Sequence, residues 1–460
     1  MNLLRANKYR LLPDEEQLNK IKQFCGCSRV VYNALLEMVI TSLNNKENIN
    51  VPKVTELYDK YEFLKQADSL ALANARLNLQ KAVNDFFKSK KGKRKGKRLG
   101  FPKFKKKNKS KCSYTTNNQS GSIRIEDNTI KIPKIGFVKF KQHKPINGII
   151  KSITITVNND GSVEVSVLSL VNKNTVNKQT KLTDLKVLGL DMSMDSFYVS
   201  SDGEKPNFTR KYRLTEKRRK RLNRSLHRKK MVTTGETYFN KKWNKETPKC
   251  VPSNNREKAR IRLAKHERRI ANQRKDFCHQ LSRNLVNNHD VIVLEDINLQ
   301  AMSRCLNLGK SVHDLGFGMF RTFLEYKSIE TDSLVVKVPQ HFASSKLCND
   351  CGFKHSDLKL SERFWYCPNC GVYHDRDLNA SYNLRDYFIK TLNTAGTAGI
   401  NACGDNASRL RETLIQVLSL KQEGNIVKYP TEALPLGGVS SLSMFVLLNY
   451  NRLNVSPVGF

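Results

Sequence analysis

No run of this chain is apolar for long enough to cross a bilayer as a helix, which takes about 20 residues. The C-terminal VSSLSMFVLLNY (439–450) is too short, and no basic amphipathic anchor stands out, so a membrane is not an expected partner. Acidic residues are scarce as well. Forty-two Asp and Glu face 81 Lys and Arg, a formal net charge of +39. A balance so short of negative charge points to a polyanion, because neutralising phosphates releases condensed counterions and gives strong, salt-sensitive binding. The alternative for the same charge is a solvated basic surface. The opening residues, MNLLRANKYRLLPDEEQ, lack the apolar core of a secretion signal. A reducing, cytoplasmic setting is therefore expected, in which cysteines serve as thiols or metal ligands rather than disulfides.

Cysteine is present eleven times, and four have metal spacing. Cys348, Cys351, Cys367 and Cys370 form Cys-x2-Cys-x15-Cys-x2-Cys, which fits one closed tetrahedral zinc site with no open coordination position. Such a zinc is structural. His341, His355 and His374 lie nearby and are expected at the surface or behind the ligands, since four thiolates already satisfy the metal. Cys25 and Cys27 have the wrong spacing for a chelate and read as core.

Three carboxylates occupy suggestive places. Asp191 ends the apolar run KVLGLD (186–191) and Glu295 ends VIVLE (291–295). Asp377 stands where DRDLNASYNL (375–384) opens a helix, whose N-terminus favours an ionised carboxylate. Asp296 and Asp375 compete with Glu295 and Asp377. If the two strands are neighbours in one sheet, the three acids converge. Their mutual repulsion then calls for divalent metal, and two Mg²⁺ ions about 4 Å apart could act on a phosphodiester. Each acid alone is more often an ordinary turn or cap residue.

Along the chain, residues 2–12 read as a strand. A helix follows Asp14, with the stripe Leu18, Ile21, Cys25, Tyr32, Leu35 and Val39. Residues 44–52 read as a loop. A second helix starts near Asp68, with Leu72, Ala75, Leu79, Val83 and Phe86 on one face and Arg76, Lys81 and Lys88 off it. In residues 88–109, 13 of 22 positions are Lys or Arg and none is acidic. That block cannot fold alone, and its GFPKF (100–104) places two aromatics among the charges, as stacking on nucleic acid would use. An unstructured basic linker is the alternative. From 122 to 170 the apolar period becomes two, which predicts an antiparallel sheet or small barrel completed by residues 2–12. A polar linker is expected over 171–183. A β-hairpin (186–200), a basic helix (211–230), a break (231–254), a long helix (256–288), a helix (315–330) and a strand (334–338) complete the reading.

The residues resemble the TnpB (OrfB) family, transposon-encoded RNA-guided DNA endonucleases related to the compact type V CRISPR effectors. The resemblance rests on KYRLLPDEEQ (8–17), GCSRVVYNALLE (26–37), AVNDFF (82–87), GFPKFKKK (100–107), IKIPKIGFVKFK (130–141), GLDMSMDSF (189–197), NREKARIRLAKHERRIANQRKDFCHQLSRNLV (255–286), VIVLEDINLQAM (291–302), CNDCG, WYCPNCG and HDRDLNASYNL. It covers roughly residues 1–405, in order. It implies a multidomain α+β fold. An oligonucleotide-binding-like β-barrel, the wedge (1–13 and 110–175), would carry an inserted helical recognition domain (14–109). A RuvC/RNase H-like α/β nuclease (184–340 and 372–405) would follow, interrupted by a zinc-ribbon target-loading module (341–371). The tail 406–460 matches poorly, and Ser344-Ser345 replaces the common Thr-Ser pair.

The resemblance also implies roles. Asp191, Glu295 and Asp377 match the catalytic acids that hold two Mg²⁺, and the four cysteines match the ligands of one zinc. Arg76, Lys103, Lys105 and Arg363 are candidate nucleic-acid contacts. The implied partners are a guide RNA from the transposon end and double-stranded target DNA. The competing readings are a nuclease-inactive RNA-guided DNA-binding regulator and a guide-free zinc-ribbon nucleic-acid-binding protein.

Overall fold

The computed structural model describes residues 2–46, 50–94, 97–107, 112–172, 185–207, 211–240, 245–305, 309–359 and 361–394. The tail 406–460, most of the expected linker and Lys95 of the basic block lie outside these residues. The chain divides into two compact units, residues 1–173 and 174–460.

The first unit begins with β1 (Asn2–Leu12), followed by α1 (Glu15–Asn44) and α2 (Ser69–Lys90). Strands β2 (Cys112–Asn117), β3 (Ile125–Glu126), β4 (Thr129–Ile132), β5 (Gly136–Lys141), β6 (Ile149–Val157) and β7 (Val163–Asn172) complete it. The strand order is β2-β6-β7-β1-β5-β4-β3, and the pairs are antiparallel. β1 lies inside the sheet, with Leu4 opposite Leu170 on one side and Leu11 opposite Phe140 on the other. The two helices are thus inserted after the first strand, as the sequence pattern expects. The edges β2 and β3 are not paired with each other among the described residues, so the large antiparallel sheet is not shown closed into a barrel.

The period-two residues Ile130, Ile132, Val138, Ile153, Ile155, Val163, Val165 and Val167 are buried in one cluster with Ile21, Val31 and Leu35 of α1 and Leu72 and Leu79 of α2. Asp14 starts α1 with a capping box. Its carboxylate accepts from the Gln17 amide at 2.8 Å, and its own amide donates to Gln17 Oε1 at 3.2 Å. Cys25 and Cys27 are buried core, as expected.

The second unit contains β8 (Val187–Asp191), β9 (Val199–Ser200), α3 (Lys211–His227), β10 (Met231–Asn240), β11 (Lys245–Pro252), α4 (Asn254–Asn288) and β12 (Val291–Glu295). Then come α5 (Leu299–Cys305), α6 (Gly309–Leu315), α7 (Phe317–Thr331), β13 (Leu334–Val338), β14 (Phe364–Tyr366), β15 (Tyr373–Asp375) and α8 (Arg376–Thr394). The order β13-β12-β8-β9 sets β12 parallel to β8 and β13, with β9 antiparallel at the edge. Each face of this sheet is covered. Leu188, Leu190, Ile292 and Leu294 pack with residues of α4 and α7, while Val291, Val293 and Val336 pack with Leu384 and Phe388 of α8. Runs buried on both faces read as continuous apolar sequence, which is why VIVLE shows no alternation.

One expectation is corrected. Residues 231–254 are not a break but mostly the hairpin β10–β11. Its register shifts between Thr233 and Thr237, and Gly235 sits there at φ +80°. The glycine and prolines that suggested a break are tolerated because this two-stranded ribbon is all edge, and the glycine occupies the irregularity.

Candidate active site and metal centre

Register brings the first two acids together. Leu190 and Leu294 are partners across β8 and β12, so Asp191 and Glu295 follow side by side at the carboxyl ends of parallel strands. Asp377 lies in the first turn of α8, which packs on β8. Gly189 makes that packing possible. A Cβ there would stand 2.0 Å from the Ser381 carbonyl oxygen and 2.8 Å from the Arg385 amide nitrogen. The helix therefore seats on bare backbone, two residues from Asp191.

Asp191 senses the other two carboxylates. Burial drives the Asp191 carboxyl up to about 8; Asp377 and Glu295 push the same way, and Arg376 and Arg363 oppose them. Burial also raises Glu295. The competing acids are engaged elsewhere. Asp296 pairs with Arg321 at 2.6 Å. Asp375 accepts from the amides of Asp377 and Leu378 at 3.1 and 3.3 Å and pairs with Lys205 at 2.7 Å. Burial would raise Asp375, but Lys205 and those amides hold it below the ordinary carboxylate range. Asp375 is thus the cap of α8, and Asp377 is the acid presented beside the strand ends. An all-oxygen set of acids, one of them driven toward neutrality by burial and by its neighbours, suits a hard divalent cation.

Arg363, directly before β14, donates to both oxygens of Asp377 at 3.2 Å and to Asp195 Oδ2 at 3.3 Å. Ser193 Oγ reaches Asp377 Oδ2 at 3.5 Å.

The four cysteine sulfurs lie within 4.8 Å of one another, with Cys348–Cys370 and Cys351–Cys367 each 3.6 Å apart. Tetrahedral zinc with Zn–S bonds of about 2.3 Å has sulfur–sulfur edges of about 3.8 Å, so the residues fit the ion. Each Cys-x-x-Cys pair is followed by a glycine, Gly352 at φ +74° and Gly371 at φ +73°, whose amides donate to the Cys348 and Cys367 carbonyls at 2.9 Å. His374 Nε2 lies 3.1 Å from Cys348 Sγ, behind the ligands as expected. Cys348, Asp350 and His374 also lie close enough to one another to hold an ion, but Cys348 is already one of the four thiolates.

Sequence reasoning missed how the cysteine module holds the acid-bearing helix. Asn379 Nδ2 donates to the Leu347 carbonyl at 2.6 Å, and Asn383 Nδ2 donates to the Ser344 and Leu347 carbonyls at 2.8 and 2.7 Å. Asn349 completes the tie by donating to Asn379 Oδ1 at 3.0 Å and to Asn383 Oδ1 at 3.2 Å. The signal was available, since two asparagines four apart inside a helix are poor helix formers and need another reason to be there. Gly189 in the middle of an apolar strand was a second such signal.

Three candidate basic residues belong to the first unit. The Arg76 guanidinium donates to the Val51 and Pro52 carbonyls at 2.8 and 2.7 Å. Lys105 places its ammonium 3.8 Å from the centre of the Tyr32 ring, and its backbone exchanges two hydrogen bonds with Asn33. Lys103 is exposed.

Comparison with known proteins gives three family matches. Residues 162–306 match the OrfB_IS605 model, described as "Probable transposase", and residues 317–384 match "Cas12f1-like, TNB domain". Residues 1–47 match the "Helix-turn-helix domain" of the OrfB group, although residues 2–44 here form one strand and one long helix. A Streptomyces pristinaespiralis protein named "Putative RNA-guided DNA endonuclease" is 28% identical over 89% of this chain and 93% of its own. InsQ of Escherichia coli K12, named in the same words, is 24% identical over 84% of this chain and 92% of its own. The protein in a solved Cas12f1–guide RNA–target DNA complex overlays at TM-score 0.47 and 12% identity, over 84% of this chain and 99% of that one.

Proposed function

The chain belongs to the TnpB (OrfB) family, and on that premise we propose that it is the RNA-guided DNA endonuclease of a transposable element. It would cut double-stranded DNA beside a short element-associated motif, by metal-dependent phosphodiester hydrolysis. The observation that supports this is that Asp191 and Glu295 end neighbouring parallel strands and that Asp377, on the helix packed against them, adds to the upward push on the Asp191 carboxyl, in a chain of net charge +39. The second unit would be a RuvC/RNase H-like nuclease, and the zinc-bearing segment its target-loading module. The sheet of the first unit, with its inserted helices, would serve as wedge and recognition domain.

Asp191, Glu295 and Asp377 would hold two Mg²⁺ ions, which when bound supply an activated water and a clamp on the attacking and leaving oxygens. The protein's own part is positional. Gly189 sets the distance of α8 from β8, Asp375 and Lys205 fix its first turn, and Asn379 and Asn383 tie it to the zinc module. Arg363 would exchange Asp377 for a phosphate oxygen of the strand to be cut, since a guanidinium serves either anion with the same fork of donors. Sequence would be read by base pairing with the guide, and the heteroduplex recognised by its shape and backbone.

The test is to purify the chain with its RNA, sequence that RNA and offer a plasmid carrying the matching target. Mg²⁺-dependent cutting that Asp191→Ala abolishes, with target binding retained, is expected. Cutting by Asp191→Ala at the parent rate would overturn the site, and cutting unaffected by ribonuclease treatment would overturn the guide.

A further inference from the structure

The hairpin β14–β15 exposes aromatic surface where a small module would bury it. Trp365, on one face, is 5% exposed and clusters with Leu358, Cys348 and Cys367. The opposite face carries Phe364, Tyr366 and Tyr373, which are 59%, 69% and 55% exposed. Single exposed apolar residues need no explanation, but three adjoining rings form a patch that does.

The rings are mutually ordered. Phe364 and Tyr373 lie nearly parallel, at 9° with centroids 5.9 Å apart, and Tyr366 stands 4.9 Å from Tyr373. The register sets Tyr366 opposite Tyr373, and Phe364 opposite Asp375. The ladder therefore runs from the Tyr366–Tyr373 pair through Phe364 to Arg363, whose guanidinium meets Asp377. Two strand residues advance about 6.6 Å, close to two steps of a stacked nucleic-acid strand at about 3.4 Å each.

We propose that Phe364, Tyr366 and Tyr373 form a stacking platform for the bases of single-stranded DNA, holding the strand to be cut as it enters the carboxylate site. This rests on the nuclease reading above and deepens it by naming what the module grips. A single strand is the fitting occupant because its base faces are free to stack, whereas paired bases in a duplex are already stacked on their neighbours. Aromatic stacking is indifferent to sequence, which suits an enzyme whose specificity lies elsewhere. Arg363 adjoins Phe364 in the chain, and Lys354 and Lys359 of the same module are exposed; these cations would follow the backbone. A protein partner would be expected to use the same apolar rings without needing the acids beside them.

The test uses the full chain with its co-purified RNA and a single-stranded DNA oligonucleotide bearing 5-iododeoxyuridine, which crosslinks to stacked rings on irradiation. Crosslinks are expected in the peptide containing Phe364 and Tyr366 or in that containing Tyr373. They should be lost in the triple variant Phe364→Leu, Tyr366→Leu, Tyr373→Leu, with zinc content and melting temperature unchanged because the rings are exposed. Cutting of matched target should fall about tenfold for each ring replaced by leucine and recover with Tyr373→Phe. Crosslinks mapping only elsewhere, or parental cutting by the triple variant, would overturn the platform. The crosslink does not require cleavage. A parent that crosslinks here but does not cut would refute the nuclease reading and leave the platform standing.

Discussion

Gly189 on β8 meets the Ser381 carbonyl of α8 so closely that a single added methyl group would lie 2.0 Å from that oxygen. The contact sets how near the helix carrying Asp377 can come to the strand carrying Asp191. Gly189→Ala must push α8 outward, because both groups at the contact are backbone and neither can rotate away. Overpacking of this kind costs about 1–3 kcal/mol or more. We expect lowered thermal stability and, in the fraction that folds, a loss of metal-dependent cleavage much larger than the loss of target binding. Calorimetry and a single-turnover cleavage assay measure the two. A folded variant that cuts like the parent would mean that Asp377 does not depend on this seat.

The carboxylate cluster should destabilise the metal-free protein. Asp191 is driven up to about 8 by burial and by Asp377 and Glu295, so between pH ~4 and ~8 the folded chain holds a proton at this group that the unfolded chain has released. Stability contributed by this group therefore falls as pH rises through that window, and below pH ~4 the penalty is gone. Asp191→Asn removes the charge and keeps the shape. In Mg²⁺-free buffer at pH 8 the variant is expected to melt a few degrees above the parent, with the gap closing at pH 5. Mg²⁺ should raise the melting temperature of the parent and have little effect on the variant. Identical melting curves at pH 8 would show that the acids do not repel one another in the folded state.

How legible this was in the sequence depends on where the information lies. Asp191 and Glu295 were readable as strand ends, because apolar runs bounded by an acid are local patterns. Their adjacency was conditional on strand order, which no local pattern carries, and the parallel register of β8 with β12 meets that condition. The cysteines were readable because metal geometry fixes their spacing. The hairpin at 231–252 was missed because its glycine lies in a register irregularity rather than ending a strand. The asparagine tie from α8 to the cysteine module was missed because its acceptors are backbone carbonyls, which leave no mark on the sequence.

Zinc loss should be felt first at α8. Asn379 and Asn383 hold the Leu347 carbonyl, one residue before Cys348, and the Asn349 side chain and amide complete the link. Structural zinc contributes about 10–16 kcal/mol in small zinc modules, so Cys348→Ser or a strong chelator should unfold the two knuckles. The first two turns of α8 are expected to lose hydrogen-exchange protection at the same time, while β12, buried in the sheet, keeps it. Cleavage should fall with the zinc content even when Mg²⁺ is in excess. Full protection of residues 378–383 after zinc removal would show that the tie works without the ion.

The basic segment before β2 divides into lysines that serve the fold and lysines that face solvent. Lys105 is tied to α1 through Asn33 and lies over the Tyr32 ring, and burial lowers its pKa. Lys103, Lys106 and Lys107 are exposed. If the exposed ones meet phosphates, changing all three to alanine should reduce the salt dependence of guide-RNA binding. The slope should fall by about 0.7–0.9 for each phosphate no longer neutralised, roughly 2–3 in total, with little change in melting temperature. Lys105→Met should do the reverse. It would leave the slope almost unchanged and cost about 1 kcal/mol of stability, by removing a cation from an aromatic face. Filter binding across a salt series and thermal melts of both variants separate the two kinds of lysine. A slope that falls equally in both would place Lys105 on the nucleic acid.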